Sequence, residues 1–204
     1  ALLIAATPRD FELVQDVLDK LDLVPLQVLI EATIFEVTLR YSNAYAIKTS
    51  PPVLVDAGAD GDFEALASAL AEQGIDANKI ALVIATHGHF DHAGLGAELQ
   101  RKGAKIMIGA GDVGLVRTGK SGDVNPGNLT ADTLKLILPW DYPRFQPDIV
   151  VEEPFDLAPY GIGGQVLPMP GHTRGALVVM LQNQTAFVGD QMWGGILGGA
   201  GCPD

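Results

Sequence analysis

The chain has 204 residues, enough for one domain with a sizeable core or for an ordinary domain carrying a short appendage. Hydrophobic residues make up 48% and charged residues 19%, with 24 Gly and 13 Pro, which excludes a disordered or coiled-coil chain and describes a turn-rich globular one. A formal net charge of -12 argues against a nucleic-acid partner, because phosphate backbones are held by Lys and Arg that displace counterions.

The opening Ala1–Ala6 is apolar but too short for a signal-peptide core or a membrane span, and no other stretch approaches a span. Thr7-Pro8-Arg9-Asp10 can open a helix, with Thr7 as cap and Asp10 favourable near its positive end. Phe11, Val14, Val17, Leu18 and Leu21 then give it one apolar face. A strand-like run over 26–39 follows, so residues 1–39 read as a strand-helix-strand unit ahead of a second unit over 40–204. Short strands are expected near 35–40, 43–48 and 53–56, then a helix over 62–73 capped by Asp60 or Asp62 and stopped by Gly74. A buried strand over 80–85, a helix over 94–102 and a strand over 105–108 continue the alternation. Residues 111–160 read as less regular, with 139–160 as a surface loop, and strands resume at 164–169, 176–181 and 185–189. The single cysteine, Cys202, excludes an internal disulfide and receives no role.

The chain has four histidines; three fall at 87, 89 and 92, in Thr86-His87-Gly88-His89-Phe90-Asp91-His92, and the fourth is His172. On an extended segment His87 and His89 point to one side, so both rings can reach one cation at the ~2.0–2.1 Å of a zinc-nitrogen bond. Asp91 and His92 lie just beyond and can face a second cation. Two later strand ends supply ligands of the same kind, Pro170-Gly171-His172-Thr173 and Gly189-Asp190, each in a glycine-containing turn.

These three motifs, in this order, resemble the metallo-β-lactamase superfamily over roughly residues 35–204, with HxHxDH at 87–92. The resemblance implies an α/β fold, an αββα metallo-β-lactamase sandwich. It implies that His87, His89 and His172 bind one metal, that Asp91 and His92 bind a second, and that Asp190 bridges both. Asp56, in Val53-Leu54-Val55-Asp56-Ala57-Gly58, is either a turn residue or the family's aspartate that supports the metal loop from behind. The family's further histidine ligand has no counterpart after His172, so either the chain is truncated and the fold incomplete at its C-terminal end, which is the expectation, or the second metal is weakly held or absent.

The ligand set implies one or two Zn2+ ions, which lower the pKa of bound water toward ~7 and polarise the bond under attack. Asp91 then serves as catalytic residue as well as ligand, orienting the hydroxide nucleophile. The expected substrate is a small molecule: an ester, thioester, lactone or amide, with a β-lactam compatible but marked by no contact motif. Met192, Trp193 and the glycines after them either line a substrate pocket or form a packed loop; Trp140, Tyr142 and Phe145 either cover the site or simply pack.

Residues 1–39 resemble the periplasmic N-domain of secretins, through Leu3-Ile4-Ala5-Ala6-Thr7-Pro8, Leu21-Asp22 and Gln27-Val28-Leu29-Ile30-Glu31-Ala32. That resemblance implies self-association through this unit and a periplasmic or cell-envelope location; without it the cytoplasm is the default. The alternative to a hydrolase is therefore an assembly module of a bacterial secretion apparatus whose metal core is non-catalytic or incomplete.

Overall fold

The computed structural model describes residues 33–122, 138–194 and 200–201. The strand-helix expectation for residues 1–32, and with it self-association through residues 1–39, lies outside the described residues.

Ten strands build two facing sheets. In the first, β1 (Thr33–Thr38), β2 (Asn43–Lys48) and β3 (Val53–Val55) form an antiparallel meander. Three strands continue it in parallel: β4 (Leu82–Ile84), β5 (Lys105–Gly109) and β6 (Ile149–Val151). Strand β1 falls within the stretch assigned to the amino-terminal unit, yet it is the edge strand of this sheet, paired from Thr33↔Lys48 to Thr38↔Asn43. The second sheet is wholly antiparallel. It contains β7 (Phe155–Asp156), β8 (Gly164–Pro168), β9 (Leu177–Leu181) and β10 (Ala186–Phe187), in the order β10-β9-β8-β7. A separate two-stranded ribbon joins β11 (Trp193–Gly194) to β12 (Ala200–Gly201).

Strand alternation divides the core in two. Leu54, Val83, Ile106 and Ile108 point to one face of the first sheet, where they meet the helices. These are α1 (Phe63–Glu72), α2 (Phe90–Ala93), α3 (Gly96–Arg101) and α4 (Val113–Thr118). Val53, Val55, Leu82, Ile84 and Met107 point the other way, onto Val166, Leu177, Val179 and Phe187 of the second sheet. The central strands are therefore buried on both faces and read as continuous apolar runs. Leu66 and Leu70, four apart on α1, are fully buried, each contributing about 1.5–3 kcal/mol of transfer free energy. Helix α1 ends where expected: Gly74 takes φ +69°, and the Ile75 amide donates back to the Leu70 carbonyl at 2.9 Å.

One expectation needs correction. Residues 139–160 do not form only a surface loop, since they contain β6 and β7, each too short to leave a periodic signal. The helix expected over 94–102 is α3, and it is preceded by a further short helix, α2, which begins at Phe90 inside the histidine run. No helix among the described residues is long and apolar enough to cross a membrane.

Candidate metal centre

Strand β4 delivers the chain to Thr86, and the turn after it is held on every side. The Gly88 amide donates to Asp112 Oδ2 at 2.8 Å, and the Gly88 carbonyl accepts from the Tyr142 hydroxyl at 2.6 Å. The Phe90 amide donates to Ser121 Oγ at 2.9 Å, and the Ser42 hydroxyl donates to the Asp91 carbonyl. The Thr86 carbonyl accepts from the Leu177 amide at 2.7 Å, joining the metal loop to the root of the β8–β9 connection that carries His172.

All six predicted ligands lie in this one region. His89 Nδ1 lies 3.1 Å from both His87 Nε2 and His172 Nε2, and the three rings stand near-perpendicular to one another, at 80–89°. A second group comprises His87, His92 and Asp190, and within each group the ligand atoms lie within 4.8 Å of one another. Asp190 sits between the two: its oxygens approach His92 Nε2 at 3.3 Å, His172 Nε2 at 3.6 Å and His87 Nε2 at 4.0 Å. Asp91 belongs to neither three-residue group, but its Oδ2 is 3.7 Å from His92 Nε2.

Tetrahedral zinc with bonds of ~2.0–2.1 Å separates its ligand nitrogens by about 3.3 Å, so the 3.1 Å spacings fit such an ion. The proton affinities fit as well. Burial, reinforced by the neighbouring imidazoles, holds His87 well below the ordinary histidine range and His89 at about 4, leaving both neutral and free to donate lone pairs. Burial also lowers His172. His92 is opposite: burial alone would lower its pKa, but Asp56, Asp190 and Asp91 around it raise it well above the usual value. A position lined by carboxylates that favours a proton favours a metal cation for the same electrostatic reason. Burial raises Asp91, and Asp190 is lowered because the histidines, His92 first, outweigh its own burial.

Asp56 is a supporting residue as well as a turn residue. It adopts φ +59°, and its buried carboxylate accepts from the Thr86 amide at 2.7 Å and the Thr86 hydroxyl at 2.9 Å. Its other oxygen pairs with His92 Nδ1 at 2.9 Å, which leaves Nε2 facing the site.

The matches to known proteins bear on this geometry. The family model described as the metallo-beta-lactamase superfamily matches residues 37–198. The chain belongs to the metallo-beta-lactamase superfamily. The superfamily's hydrolase fold is recovered in solved structures: a metallo-beta-lactamase of Cronobacter sakazakii (20% identity, TM-score 0.58, covering 75% of this chain and 57% of that one) and FEZ-1 of Legionella gormanii (18%, 0.58, 76% and 58%). BJP-1 of Bradyrhizobium japonicum is similar at 23% identity and a TM-score of 0.55, covering 76% and 57%. Among curated proteins, a segment of 43 residues is 51% identical to human metallo-beta-lactamase domain-containing protein 1 and spans 21% of this chain. The chain thus matches 16% of that relative's length and a little over half of the solved chains. The family match begins at residue 37, and these matches do not support the secretin-like reading of residues 1–39.

Two contributors, Asp112 and Gln191, were not singled out from the sequence, and Tyr142 was named there only for covering or packing. Asp112 and Tyr142 brace Gly88, and Gln191 spans the His172 loop, receiving the His172 amide at Oε1 (3.4 Å) and donating to the Met169 carbonyl. An acid after β5 in Gly109-Ala110-Gly111-Asp112, at the same sheet edge as the histidines, was the available signal for the first. Tyr142 and Phe145 are buried packing residues rather than a cover, and Trp140 packs its ring 5.8 Å from that of Phe90. Met192 does line a cavity of about 600 Å³ beside the site, with Ile34, Glu36, Tyr41, Tyr45 and Phe187 among its other side chains and Asp91, His92 and Asp190 at its metal-facing end.

Proposed function

We propose that this chain is a zinc-dependent hydrolase that cleaves a small ester, thioester, lactone or amide, with His87, His89 and His172 holding one zinc ion, Asp91 and His92 a second, and Asp190 serving both. The observation that carries the reading is the convergence of three neutral imidazoles on one point, with Asp190 placed between them and His92. Zinc bound there would lower the pKa of a water toward ~7 and polarise the carbonyl under attack, so no serine or cysteine nucleophile is required. The protein's own groups do the rest. The three imidazoles present nitrogen lone pairs at fixed spacing, Asp56 keeps the His92 proton on Nδ1, and Asp91, at the cavity's inner end, orients the attacking water. The cavity is of a size for a small molecule, and its lining mixes apolar side chains such as Ile34, Phe187 and Met192 with polar ones such as Glu36, Asn43, Asp91 and Asp190.

Metal analysis with turnover of chromogenic esters, lactones and β-lactams tests the proposal. Zinc-dependent turnover of at least one class, lost on chelation and restored by zinc, is expected. Full activity in a metal-free preparation would overturn it.

A further inference from the structure

Asp112 is 1% exposed and lies at the start of α4, outside both ligand groups. Its carboxylate is fully engaged by three donors from two different loops. Oδ2 accepts from the Gly88 amide at 2.8 Å and from the Thr173 hydroxyl at 2.7 Å, and Oδ1 accepts from the Gly175 amide at 2.8 Å. Gly88 is the residue between His87 and His89, and Thr173 is the residue after His172. One carboxylate therefore fastens the loop that carries two imidazoles to the loop that carries the third. The ligand loops come from different sheets, and Asp112 enters from the end of β5 as a third, separate element.

The surrounding backbone is shaped for this contact. A Cβ on Gly175 would lie 2.7 Å from both Cβ and Cγ of Asp112, and one on Gly111 would lie 2.7 Å from the Gly175 nitrogen. Only glycine lets these two segments approach closely enough for the three hydrogen bonds to form. A buried carboxylate is costly unless its oxygens are saturated by donors. Here the two backbone amides and the hydroxyl satisfy it, and among the described residues no Lys or Arg pairs with it.

We propose that Asp112 is a positioning residue for the metal centre, whose carboxylate sets the spacing of the His87–His89 pair relative to His172. The proposal rests on the reading that these three imidazoles hold a cation. Asparagine at this position retains at most two of the three hydrogen bonds and turns an amide N–H toward a backbone N–H or a hydroxyl. Valine for Thr173 removes one donor and leaves Asp112 and both backbone bonds in place. Asp148 provides a matched control, because it also clamps two segments, accepting from the Ile106 amide at 2.9 Å and Gln100 Nε2 at 2.7 Å, yet touches none of the ligands.

The test is zinc affinity by competition with a chromophoric chelator, together with the visible absorption of the cobalt(II)-substituted protein, in wild type, D112N, T173V and D148N. D112N is expected to weaken zinc binding at least about tenfold and T173V about threefold or more, both with a shifted cobalt spectrum. D148N is expected to lower the Tm while leaving affinity and spectrum unchanged. Wild-type affinity and spectrum in D112N and T173V would overturn the proposal, as would an equal loss of affinity in D148N. Should D112N fail to fold, T173V against D148N decides alone. Wild-type protein that takes up neither zinc nor cobalt would overturn the metal reading itself and this proposal with it, an outcome distinct from normal metal uptake by the variants.

Discussion

Replacing Asp56 with Asn separates the two halves of the centre. The buried carboxylate makes three kinds of contact: the Thr86 amide at 2.7 Å, the Thr86 hydroxyl at 2.9 Å and His92 Nδ1 at 2.9 Å. Asparagine is nearly the same shape and keeps one oxygen, so the two Thr86 bonds survive, but its NH2 then faces the His92 Nδ1–H. The loss is one hydrogen bond to a charged acceptor, about 1.5–3 kcal/mol. Removal of such a partner from a ligating histidine weakens metal binding roughly 10- to 100-fold, which corresponds to about 1.4–2.7 kcal/mol, so two independent routes agree. At roughly 2–4 °C per kcal/mol for a domain of this size, a loss of about 2 kcal/mol lowers the Tm by about 4–8 °C. The effect is also directional. Asp56 contacts His92 but not the rings of His89 or His172, and His87 still meets the Thr86 hydroxyl at 3.2 Å. Zinc titration by calorimetry, with bound metal counted after gel filtration, should show the weaker equivalent lost and the tighter one retained within about threefold. Equal weakening of both equivalents, or of neither, refutes the assignment of Asp56 to His92.

His89→Ala removes the imidazole that contacts both other members of its group, so metal content and turnover of the responsive chromogenic substrate should fall together, by about 100-fold or more in turnover. Asp91→Ala should reduce turnover as sharply and lower metal content at the second position; a fully active variant would remove Asp91 from the mechanism. Tyr142→Phe leaves the Gly88 carbonyl without its hydroxyl donor and should cost about 1–3 kcal/mol, read as a drop of roughly 2–12 °C in thermal unfolding. In the chelated protein, His89 binds its proton near 4 when folded and near 6.5 when unfolded. Its contribution is therefore present above about 6.5 and lost as the pH falls toward 4, about 3 kcal/mol in all. His87 and His172 act in the same direction, whereas the contribution of His92, whose pKa is raised, is already complete below 6.5. The Tm of the chelated protein should accordingly fall between pH 6.5 and 4, and a flat profile would contradict the burial of neutral imidazoles.

What was legible in the sequence follows from the range of each signal. The ligands sit in short local motifs at strand ends, so His87, His89, Asp91, His92, His172 and Asp190 could all be named before any contact was visible. Strands with five or six residues, such as β2 and β9, left an apolar pattern, as did α1 with Leu66 and Leu70. Strand β6 did not, because Ile149-Val150-Val151 follows a proline-rich stretch and its identity as a strand depends on pairing with β5. The braces were hidden for a related reason. Asp112 lies 24 residues from Gly88 and 63 from Gly175, and nothing in its local sequence distinguishes a buried clamp from a solvated acid. Asp56 stood between these cases, since its Asp-x-Gly context left support and a turn role equally open, and the structure gives it both, with φ +59° and bonds to Thr86 and His92.

The two ligand groups depend on unequal amounts of structure, and this orders their behaviour. Around His87 and His89, the loop is fixed at Thr86, Gly88 and Phe90 by bonds to four separate segments, and the Thr86 carbonyl ties it to Leu177 at the foot of β9. Because Leu177 is paired with Pro168, the connection carrying His172 closes on a root fixed to both sheets. Asp190 arrives differently, after a two-residue edge strand paired only with β9 and after Gly189 at φ +53°. A Cβ at Gly189 would lie 2.5 Å from Thr86 Oγ1, so this glycine is what allows Asp190 to approach the histidines at all. The three-imidazole group is thus set by the core before any cation binds, whereas the carboxylate side is positioned by a short edge and a glycine turn. A cation is expected to enter the imidazole group first, because that group requires the least reorganisation, and its charge then draws Asp190 inward to shape the second position.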